Sequence, residues 1–422
     1  MNYSSHPKMK YLYIGIDCHK YTHTASVINC FNEELALITF NNDKQGFESL
    51  IKKVDKIKEN LIPVFGLEDV SHLGYNLCQY LLSKNYKVKH VNSNLSAAER
   101  KKRPIISKND EIDGNCIAKV LLDELDNLLN VENDEIYWTL KQVIVMRNSI
   151  ISANIGLKNK LHAQLLYHYP NYNRVFKDIT TPTALTYFNT YPSPSMIVGK
   201  TKEEIQQFFL KNTGTRYSKR TTEELVKLVN EYDIKEMEYQ EERNNIIKIL
   251  IKQIQQNNQR IKEIDKDITN IYNKLGKKLH TIPCISVITA AALLAEIGNI
   301  NRFSNSSKLA RYAGIAPIEV SSGGKERALK NEFGNRKLNS IIYSIACVGL
   351  ATGTTANTNL RANNPVFKEY YYKKISEGKT KHQAIICIMR RLVNIIYKIL
   401  KEDIDSAISE SLTIQQFLNR FA

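Results

Sequence analysis

Four carboxylates in the first third of the chain have residue types and a spacing that could hold a divalent metal ion. Asp17 ends the apolar stretch YLYIGID, and Glu68 ends a second apolar stretch, IPVFGLE. Asp110 and Asp113 are three residues apart in SKNDEIDGNCIAKVL, so on a helix they share one face. Such hard oxygen ligands suit Mg²⁺ or Mn²⁺, and a pair of these ions can stabilise both the attacking and the leaving oxygen in phosphoryl transfer.

Each of these carboxylates also has a simple structural explanation. An Asp at the end of a strand commonly starts a turn, and Asp110 is favoured in the first turn of a helix by the helix dipole. Two neighbouring carboxylates are expected to lie outside the group. Asp69 would point away from Glu68 on a strand, and Glu111 lies off the helix face that carries Asp113. A catalytic role therefore requires a fold that brings the four residues together.

The elements predicted for residues 1–130 could do so. Three segments rich in β-formers are followed by alternating helical and extended segments. The predicted order is strands at Tyr11–Asp17, Thr22–Ile28 and Glu34–Phe40, a helix at 44–60, a strand at Ile62–Glu68, a helix near 73–85, a strand at Lys87–Asn92 and a helix at Asp110–Leu122. This order is typical of a ribonuclease-H-like (RuvC-like) domain, a mixed sheet covered by helices, whose metal ligands come from the first strand, the fourth strand and a later helix. The predicted fold class is α/β followed by α.

Residues 131–280 are predicted to be helical, with an interruption in the proline-bearing stretch 170–194. Positions 247, 250, 254, 257, 261, 264, 268, 271 and 275 form four heptads, in which Asn257 alone interrupts an apolar seam. A single Asn in such a seam commonly fixes register and strand number. We therefore predict a coiled coil over 247–275 that joins protomers into a homo-oligomer. The alternative is that the seam packs on another helix of the same chain.

Residues 281–422 are predicted to form a third, mostly helical domain with an irregular polar loop at about 316–335. The loop contains a basic, glycine-rich segment, namely Ser321, Ser322, Gly323, Gly324, Lys325 and Arg327. Taken alone, SSGG is simply a flexible loop. A serine that attacks a phosphate needs backbone freedom, nearby cations and a proton acceptor. The glycines and the basic residues supply the first two, and the loop contains no obvious general base.

The chain is strongly basic, with a formal net charge of +16 and a pI near 9.3. This favours a nucleic-acid partner, because lysines and arginines that neutralise phosphates release counterions. An AT-rich genome would also encode a chain this rich in Asn, Ile, Lys and Tyr. Local clusters favour nucleic-acid contact: Arg100, Lys101, Lys102 and Arg103, and Lys373, Lys374, Lys379 and Lys381 with Tyr370, Tyr371 and Tyr372. For either cluster alone, a solvated helix face is the alternative.

Several classes of protein are disfavoured. Seven cysteines without any C-x-x-C pair argue against a disulfide framework and a zinc site. Residues 1–17 lack the apolar stretch of a signal peptide, and the longest mainly apolar run, Ile285–Ala295, is too short to span a bilayer. The sequence therefore predicts a cytoplasmic protein without a membrane partner.

The motifs, taken in order, resemble those of a known family. The segments YIGIDCHK, GLED, KNDEIDGNCIAK, IPCISVITAAALLAEIGNINRFSNSSKLARYAGIAPIEVSSGG and FGNRKL are similar to the DEDD-type insertion-sequence transposases, which include pilin-gene invertases and bridge-RNA-guided recombinases. The resemblance covers almost the whole chain. Two places depart from the family pattern. The usual proline-glycine-x-glycine turn reads Pro283-Cys284-Ile285-Ser286, and Asn339 replaces the usual arginine after G-N-x-x-L.

The resemblance implies a role for each candidate residue. The residues Asp17, Glu68, Asp110 and Asp113 would be the acidic tetrad that binds Mg²⁺ or Mn²⁺. Ser322, the serine directly before glycine, would be the nucleophile of the C-terminal transposase domain, and the adjacent Ser321 is the alternative. The family joins these two halves into composite sites between protomers of a dimer or tetramer and forms a phosphoserine link to DNA. A structured guide RNA pairs with the double-stranded DNA of the element ends and the target. The implied protein is a DNA transposase or recombinase, associated with the nucleoid of a bacterium or archaeon.

Rival functions predict different products. A metal-dependent junction endonuclease that uses water would leave free 5′-phosphate ends and no protein–DNA adduct. A pilin-type invertase would use the same chemistry to invert a DNA segment. A non-catalytic nucleic-acid-binding protein would be indifferent to metal chelation. Tyrosine recombination is disfavoured, because no cationic and histidine constellation surrounds any one of the 23 tyrosines.

Overall fold

The chain divides into two compact units. The computed structural model describes residues 6–70, 72–102, 110–131, 135–169, 171–214, 219–231, 238–316, 318–322, 325–329, 334–351 and 364–401. Residues 1–141 and 272–422 together form the first unit, and residues 142–271 form the second. The first unit is therefore built from both ends of the chain.

A six-stranded mixed sheet with helices forms the amino-terminal part of the first unit. Its elements are β1 (Tyr11–Cys18), β2 (Thr22–Ile28), β3 (Glu34–Asn41), α1 (Lys44–Ile57), β4 (Ile62–Leu67), α2 (Tyr75–Ser83), β5 (Lys87–His90), α3 (Ser93–Lys101), α4 (Asp110–Glu124) and β6 (Leu129–Asn130). The strand order is β3-β2-β1-β4-β5-β6. Strands β1, β4 and β5 are parallel, β2 is antiparallel to β1 and β3, and β6 is antiparallel to β5. The prediction of an α/β amino-terminal part is confirmed.

Helices cover both faces of this sheet. Alternate residues of β1 point to opposite faces. On one face Leu12 and Ile14 share a core with Phe47 of α1 and Leu77 of α2. On the other face Tyr13 shares a core with residues of β4 and α4. Burial on both faces explains why the central strands are apolar along most of their length.

The second unit is helical. It contains most of α5 (Glu135–His168) and α9 (Gln240–Lys274), together with α6 (Pro182–Thr190), α7 (Lys202–Thr213) and α8 (Lys219–Glu231). Helix α6 lies within the proline-bearing stretch, where Thr181 caps the helix and Pro182 takes its first position, as Pro can where the backbone N–H has no helical partner. The core is strongly aromatic and includes Tyr169, Tyr187 and Phe209.

The first half of the heptad seam on α9 packs within the chain. Ile247, Leu250 and Ile254 are buried in the core of the second unit. Asn257 donates a hydrogen bond from Nδ2 to Oδ1 of Asn154 on α5, at 3.0 Å. Packing on a helix of the same chain therefore describes these positions, and a seam that joins protomers stays a prediction.

The carboxy-terminal part of the first unit is mostly helical, in agreement with the sequence analysis. Its elements are α10 (Val287–Ile297), α11 (Ser306–Tyr312), β7 (Ile318–Ser322), β8 (Lys325–Leu329), α12 (Arg336–Leu350), α13 (Pro365–Ser376) and α14 (Lys381–Lys401). Helix α14 packs against α11, α12 and α13. No helix in the described part of the chain is both long and apolar enough to cross a membrane.

The expectation of an irregular loop over about 316–335 is wrong for part of that range. Strands β7 and β8 pair antiparallel, from Ile318 with Leu329 to Ser322 with Lys325. The two residues between the strands are Gly323 and Gly324, and a Gly-Gly pair is a strong signal for a two-residue hairpin connection. The polar composition of the segment concealed this hairpin signal.

The turn before α10 has Cys284 where the family pattern has glycine. The N–H of Ile285 donates to the carbonyl of Ile282 at 3.1 Å, and Cys284 has a φ of 73°. A proline followed by a residue of positive φ is typical of a type II turn, which explains why glycine is common at the second position. Ser286 then caps α10 by accepting from the N–H of Thr289.

Candidate metal centre

Asp17 and Glu68 lie at the same edge of the sheet because their strands are parallel neighbours. In the register of β1 with β4, Ile16 is paired with Leu67. Asp17 follows Ile16 and Glu68 follows Leu67, so the two carboxylates come at neighbouring positions of the two strands. The side chain of Asp17 is 17% exposed, so this carboxylate is largely withdrawn from solvent.

The first turn of α4 supplies Asp110 and Asp113, and two glycines allow this helix to lie against β1. A Cβ atom on Gly15 would lie 2.2 Å from the backbone nitrogen of Ala118 and 2.3 Å from the carbonyl oxygen of Gly114. A side chain at position 15 would therefore push the helix away. The close approach of helix and strand brings the acidic turn of α4 to the edge where β1 ends.

The ionisation of Asp17 responds to the other three carboxylates. Burial is the largest cause and raises the pKa of Asp17 to about 6. The imidazole of His19 lowers this pKa, whereas three carboxylates raise it, namely Asp113, Glu68 and Asp110. Carboxylates affect one another in this way when they share a site. We call these four carboxylates the acidic cluster, because each of the other three acts on the charge of Asp17. Among the described residues, ligand atoms that all lie within 4.8 Å of one another are found for Asp17, Asp110 and His19, and Glu68 and Asp113 are not part of that group.

His19, which no sequence motif singled out as a candidate ligand, lies beside two of these carboxylates. Its Nδ1 lies 3.7 Å from Oδ2 of Asp17, and its Nε2 lies 3.6 Å from Oδ1 of Asp110. Ligand atoms of these three residues all lie within 4.8 Å of one another. The available signal was its nearness to Asp17 in the sequence, since it follows directly after the strand that carries this carboxylate. An imidazole is a common metal ligand, so His19 could add a nitrogen to the carboxylate oxygens.

Two polar side chains of α3 hold carboxylates of the cluster. The hydroxyl of Ser96 donates a hydrogen bond to Glu68, and the guanidinium of Arg100 donates to Asp113. Ser96 is buried, so its hydrogen bond is protected from competing water. Arg100 offsets part of the negative charge of the cluster. Both contacts restrict the orientation of a potential metal ligand.

The members of the basic cluster at positions 100–103 have different surroundings in the structure. Arg100 is engaged with Asp113, and its contact with nucleic acid stays a prediction. Lys102 pairs with Glu99 on the surface, and Lys101 is exposed. Arg103 lies outside the described residues. Lys101 and Lys102 therefore keep side chains that nucleic acid could reach.

Asp69 and His90 flank the acidic cluster. The carboxylate of Asp69 accepts hydrogen bonds from two backbone N–H groups of the following turn, at 2.9 Å and 3.0 Å. It therefore starts a turn. The Nε2 atom of His90 lies 3.1 Å from the carbonyl oxygen of Glu68. Burial and the nearby charge of Arg302 lower the pKa of His90 to about 4, so this imidazole is neutral near pH 7.

The candidate nucleophile lies at the end of the β7–β8 hairpin. Ser322 is the last residue of β7 and is paired with Lys325, the first residue of β8. The neighbouring pair is Ser321 with Glu326, and Arg327 is paired one position further along. The side chains of this hairpin lie outside the described part of the structure. The backbone therefore places Ser322 beside the hairpin connection.

The donor set fits a hard divalent cation. Carboxylate oxygens suit Mg²⁺ and Mn²⁺, and imidazole nitrogen is more acceptable to Mn²⁺ than to Mg²⁺. The carboxylates that raise the pKa of Asp17 contribute like charge in a partly buried place, which a divalent cation would neutralise. The residues that could hold such an ion are Asp17, Glu68, Asp110 and Asp113, with His19 beside them.

Two models of transposase families match the chain. Residues 14–170 match the DEDD-type IS110 model, which is described as a transposase. Residues 276–372 match a model described as a transposase of the IS116/IS110/IS902 family. The first match contains the acidic cluster, and the second contains the β7–β8 hairpin.

Individual relatives agree with these matches. The 43.6 kDa protein of insertion element IS110 from Streptomyces coelicolor is 29% identical over 133 residues, which is 30% of this chain and 29% of the relative. The pilin gene-inverting protein of Moraxella bovis is 31% identical over 134 residues, or 31% of this chain and 38% of the relative. The 44.8 kDa protein of insertion element IS116 from Streptomyces clavuligerus is 21% identical over 399 residues, or 93% of this chain and 95% of the relative. The chain thus aligns with less than two fifths of the first two relatives and with nearly all of the third.

Proposed function

Because the chain belongs to the IS110 family of insertion-sequence transposases, we propose that it is a DNA transposase that cleaves and rejoins DNA to move its own element. The observation that carries this proposal is the placement of Asp17 and Glu68 after neighbouring positions of two parallel strands, against which the helix that begins with Asp110 and Asp113 packs. A ribonuclease-H-like (RuvC-like) fold for the amino-terminal part is proposed with it. The strand order, with β2 antiparallel beside β1, supports that fold.

The four carboxylates are proposed to hold Mg²⁺ or Mn²⁺. A bound ion of this kind stabilises negative charge on the oxygens of a phosphate during cleavage. Ser96 and Arg100 fix the orientation of Glu68 and Asp113, so these ligands are positioned before DNA arrives. His19 lies between Asp17 and Asp110, 3.7 Å and 3.6 Å from their carboxylate oxygens.

Ser322 is proposed as the nucleophile. Its hydroxyl would lose its proton as the oxygen forms a bond to phosphorus, one phosphorus–oxygen bond to the sugar would break, and the freed sugar oxygen would take up a proton. The reverse reaction with another strand end rejoins the DNA and frees the serine. The sequence supports this role, because Ser322 is followed by two glycines, the residue type with the widest choice of backbone conformations, and by the basic residues Lys325 and Arg327.

The partners follow from the same proposal. Double-stranded DNA of the element ends and the target would be bound, together with a structured guide RNA, and the net charge of +16 favours such polyanions. The protein would act in the cytoplasm on the nucleoid as a homo-oligomer, a dimer or tetramer. Exposed apolar side chains of the second unit support a contact between protomers there, namely Met146, Ile155, Ile246 and Ile249. These residues lie outside the heptad seam.

The test is the capture of protein-linked DNA. Purified wild-type protein with Mg²⁺ and fluorescent element-end DNA should give an adduct that survives denaturing electrophoresis. Ser322→Ala should give none, the matched variant Ser321→Ala should retain it, and Asp17→Ala should abolish strand exchange. An adduct that persists in Ser322→Ala would overturn the serine assignment. Free 5′-phosphate ends without any adduct would favour the junction endonuclease that uses water.

A second candidate function is DNA inversion. The observation that favours it is the 31% identity to the pilin gene-inverting protein over 134 residues. An invertase would use the same residues on two sites within one DNA molecule. A plasmid with two inverted element ends distinguishes the functions, because inversion preserves plasmid length whereas excision shortens it.

A further inference from the structure

A cavity of about 150 Å³ lies in the first unit, between the sheet edge, the start of α5 and the α10–α11 region. We name it the Trp138 cavity. The side chains that matter in its lining are Tyr75, His90, Trp138, Lys141, Glu296 and Arg302. A cavity of this volume has room for one small polyatomic ion such as a phosphate group, while the half-buried Trp138 in its wall is also partly open to solvent. His90, which lines the cavity, also contacts the acidic cluster, because its Nε2 atom lies 3.1 Å from the carbonyl oxygen of Glu68.

Arg302 brings a charge to this cavity that no described carboxylate neutralises. Its guanidinium lies 5.1 Å from the ring centroid of Phe303 and 5.0 Å from that of Tyr312, so two aromatic rings hold it in place. Its Nε atom is buried and has no hydrogen-bond acceptor among the described residues. A buried donor without an acceptor is costly, and an anionic oxygen would satisfy it.

The other charges in the cavity offset one another. The Nζ atom of Lys141 lies 3.5 Å from Oε2 of Glu296, and this oxygen also accepts a hydrogen bond from Asn335 at 2.8 Å. Glu296 is buried and is therefore already engaged. The remaining net charge is the positive charge of Arg302, which favours an anionic ligand.

An aromatic wall adjoins the charged part of the cavity. The rings of Tyr75 and Trp138 are stacked, with their centroids 4.4 Å apart and their planes 22° apart. Both side chains are half-buried and line the cavity. Flat aromatic surfaces beside a cation are the features by which proteins hold successive nucleotides of a strand.

We propose that the Trp138 cavity binds a phosphate group of a nucleic-acid strand at Arg302, with the adjoining base against Trp138. The inference rests on the proposed function in one respect, namely that nucleic acid is the partner. It adds a strand contact that is distinct from the metal ligands and from Ser322. DNA and RNA offer the same phosphate, so the experiment has to separate them.

Trp138 makes the test specific, because it is the single tryptophan of the chain. We expect saturable quenching of its fluorescence when oligonucleotides of about eight nucleotides are titrated into the full-length protein with EDTA present. Parallel titrations with DNA and RNA of the same base order show which strand is preferred. A third titration with inorganic phosphate shows whether the anion alone is sufficient. EDTA keeps the acidic cluster free of added metal, so the signal does not depend on cleavage.

Arg302→Gln should weaken the quenching affinity about tenfold to a hundredfold, because a charged hydrogen bond to phosphate is lost. The matched control is Arg336→Gln on the exposed start of α12, which removes the same charge and should change the affinity less than about threefold. Circular dichroism shows whether the Gln variant is folded. If it is not, Arg302→Lys, which keeps the charge, is used to test the contribution of Arg302 to the quenching affinity. It should retain part of the affinity.

Two results would overturn the inference. One is an oligonucleotide that binds by fluorescence anisotropy but leaves Trp138 unquenched. The other is equal quenching affinity in Arg302→Gln and the wild type. This inference and the proposed function can fail separately. If the wild type gives no protein–DNA adduct but its Trp138 fluorescence is still quenched, the proposed transposase mechanism fails and the strand contact stands.

Discussion

Gly15 on β1 lies directly against Gly114 on α4, and a Cβ atom at position 15 would be 2.3 Å from the carbonyl oxygen of Gly114. This contact sets the distance between the strand that carries Asp17 and the helix that carries Asp110 and Asp113. The geometry of the acidic cluster therefore depends on Gly15, which is not itself a candidate metal ligand.

Gly15→Ala should disturb both stability and metal binding. The added methyl group forces α4 away from β1, so we expect the free energy of unfolding to fall by about 1–3 kcal/mol and the Mn²⁺ affinity to fall with it. Urea denaturation and Mn²⁺ titration measure the two effects. Gly156→Ala on α5 is the control, because nothing lies within 4 Å of its added Cβ. That variant should gain up to about 1 kcal/mol, and a Gly15→Ala protein with wild-type properties would refute this role of the glycine contact.

Asp17→Asn should stabilise the metal-free protein in a pH-dependent manner. The folded pKa of Asp17 is raised from 3.8 to about 6, mainly by burial, so the folded state binds a proton more tightly than the unfolded state. The wild type should lose stability as the pH rises from about 4 to 6, relative to a variant with no charge at this position, by on the order of 2 kcal/mol. Urea denaturation of both proteins in EDTA across this range gives the difference. A difference that stays constant with pH would contradict the raised pKa.

Ser96→Ala should weaken metal binding without touching a ligand. Its hydroxyl donates to Glu68, and removal of such a supporting hydrogen bond commonly costs about tenfold to a hundredfold in metal affinity. Electron paramagnetic resonance of free Mn²⁺ measures the affinity directly. The control is Ser149→Ala, which removes an exposed hydroxyl from α5 and should change nothing. Equal affinity in the two variants would show that Ser96 does not support Glu68.

Asn257→Ala should lower the stability of the second unit by about 1–3 kcal/mol, because the buried Asn154 loses a hydrogen-bond donor. The exposed Asn245→Ala on the same helix should have little effect. Light scattering should give the same mass for both variants and the wild type. A mass that changes with Asn257→Ala would show that the seam joins separate chains, as a lone Asn can specify the oligomer number.

Local patterns predicted the amino-terminal sheet well. The predicted strands agree with β1 to β5 within two residues at each end, because apolar β-formers bounded by polar turns are a local signal. The parallel register of β1 and β4, which sets Asp17 beside Glu68, follows from that order of elements. The spacing of Asp110 and Asp113 is also a local signal, since it depends only on helix geometry, and α4 begins at the predicted residue.

Contacts between distant segments could not be predicted. The segment SNLSAAERK has little apolar periodicity, so α3 was missed, and with it the contacts of Ser96 and Arg100. Arg100 therefore seemed available to nucleic acid. His19 depends on the shape of the β1–β2 turn, and the Trp138 cavity requires residues from both ends of the chain. The β7–β8 hairpin was obscured by polar residues, although its Gly-Gly connection was visible in the sequence.

The most direct test of the central claim, that four carboxylates act as one metal centre, is calorimetric titration of Mn²⁺ into single variants of the full-length protein. Asp17→Asn, Glu68→Gln, Asp110→Asn and Asp113→Asn should each lower the affinity at least about tenfold, because each removes a charged oxygen ligand. Glu111→Gln is the matched control on the exposed side of the same helix turn and should bind Mn²⁺ as the wild type does. Wild-type affinity in any of the four variants, or an equal loss in Glu111→Gln, would contradict the claim.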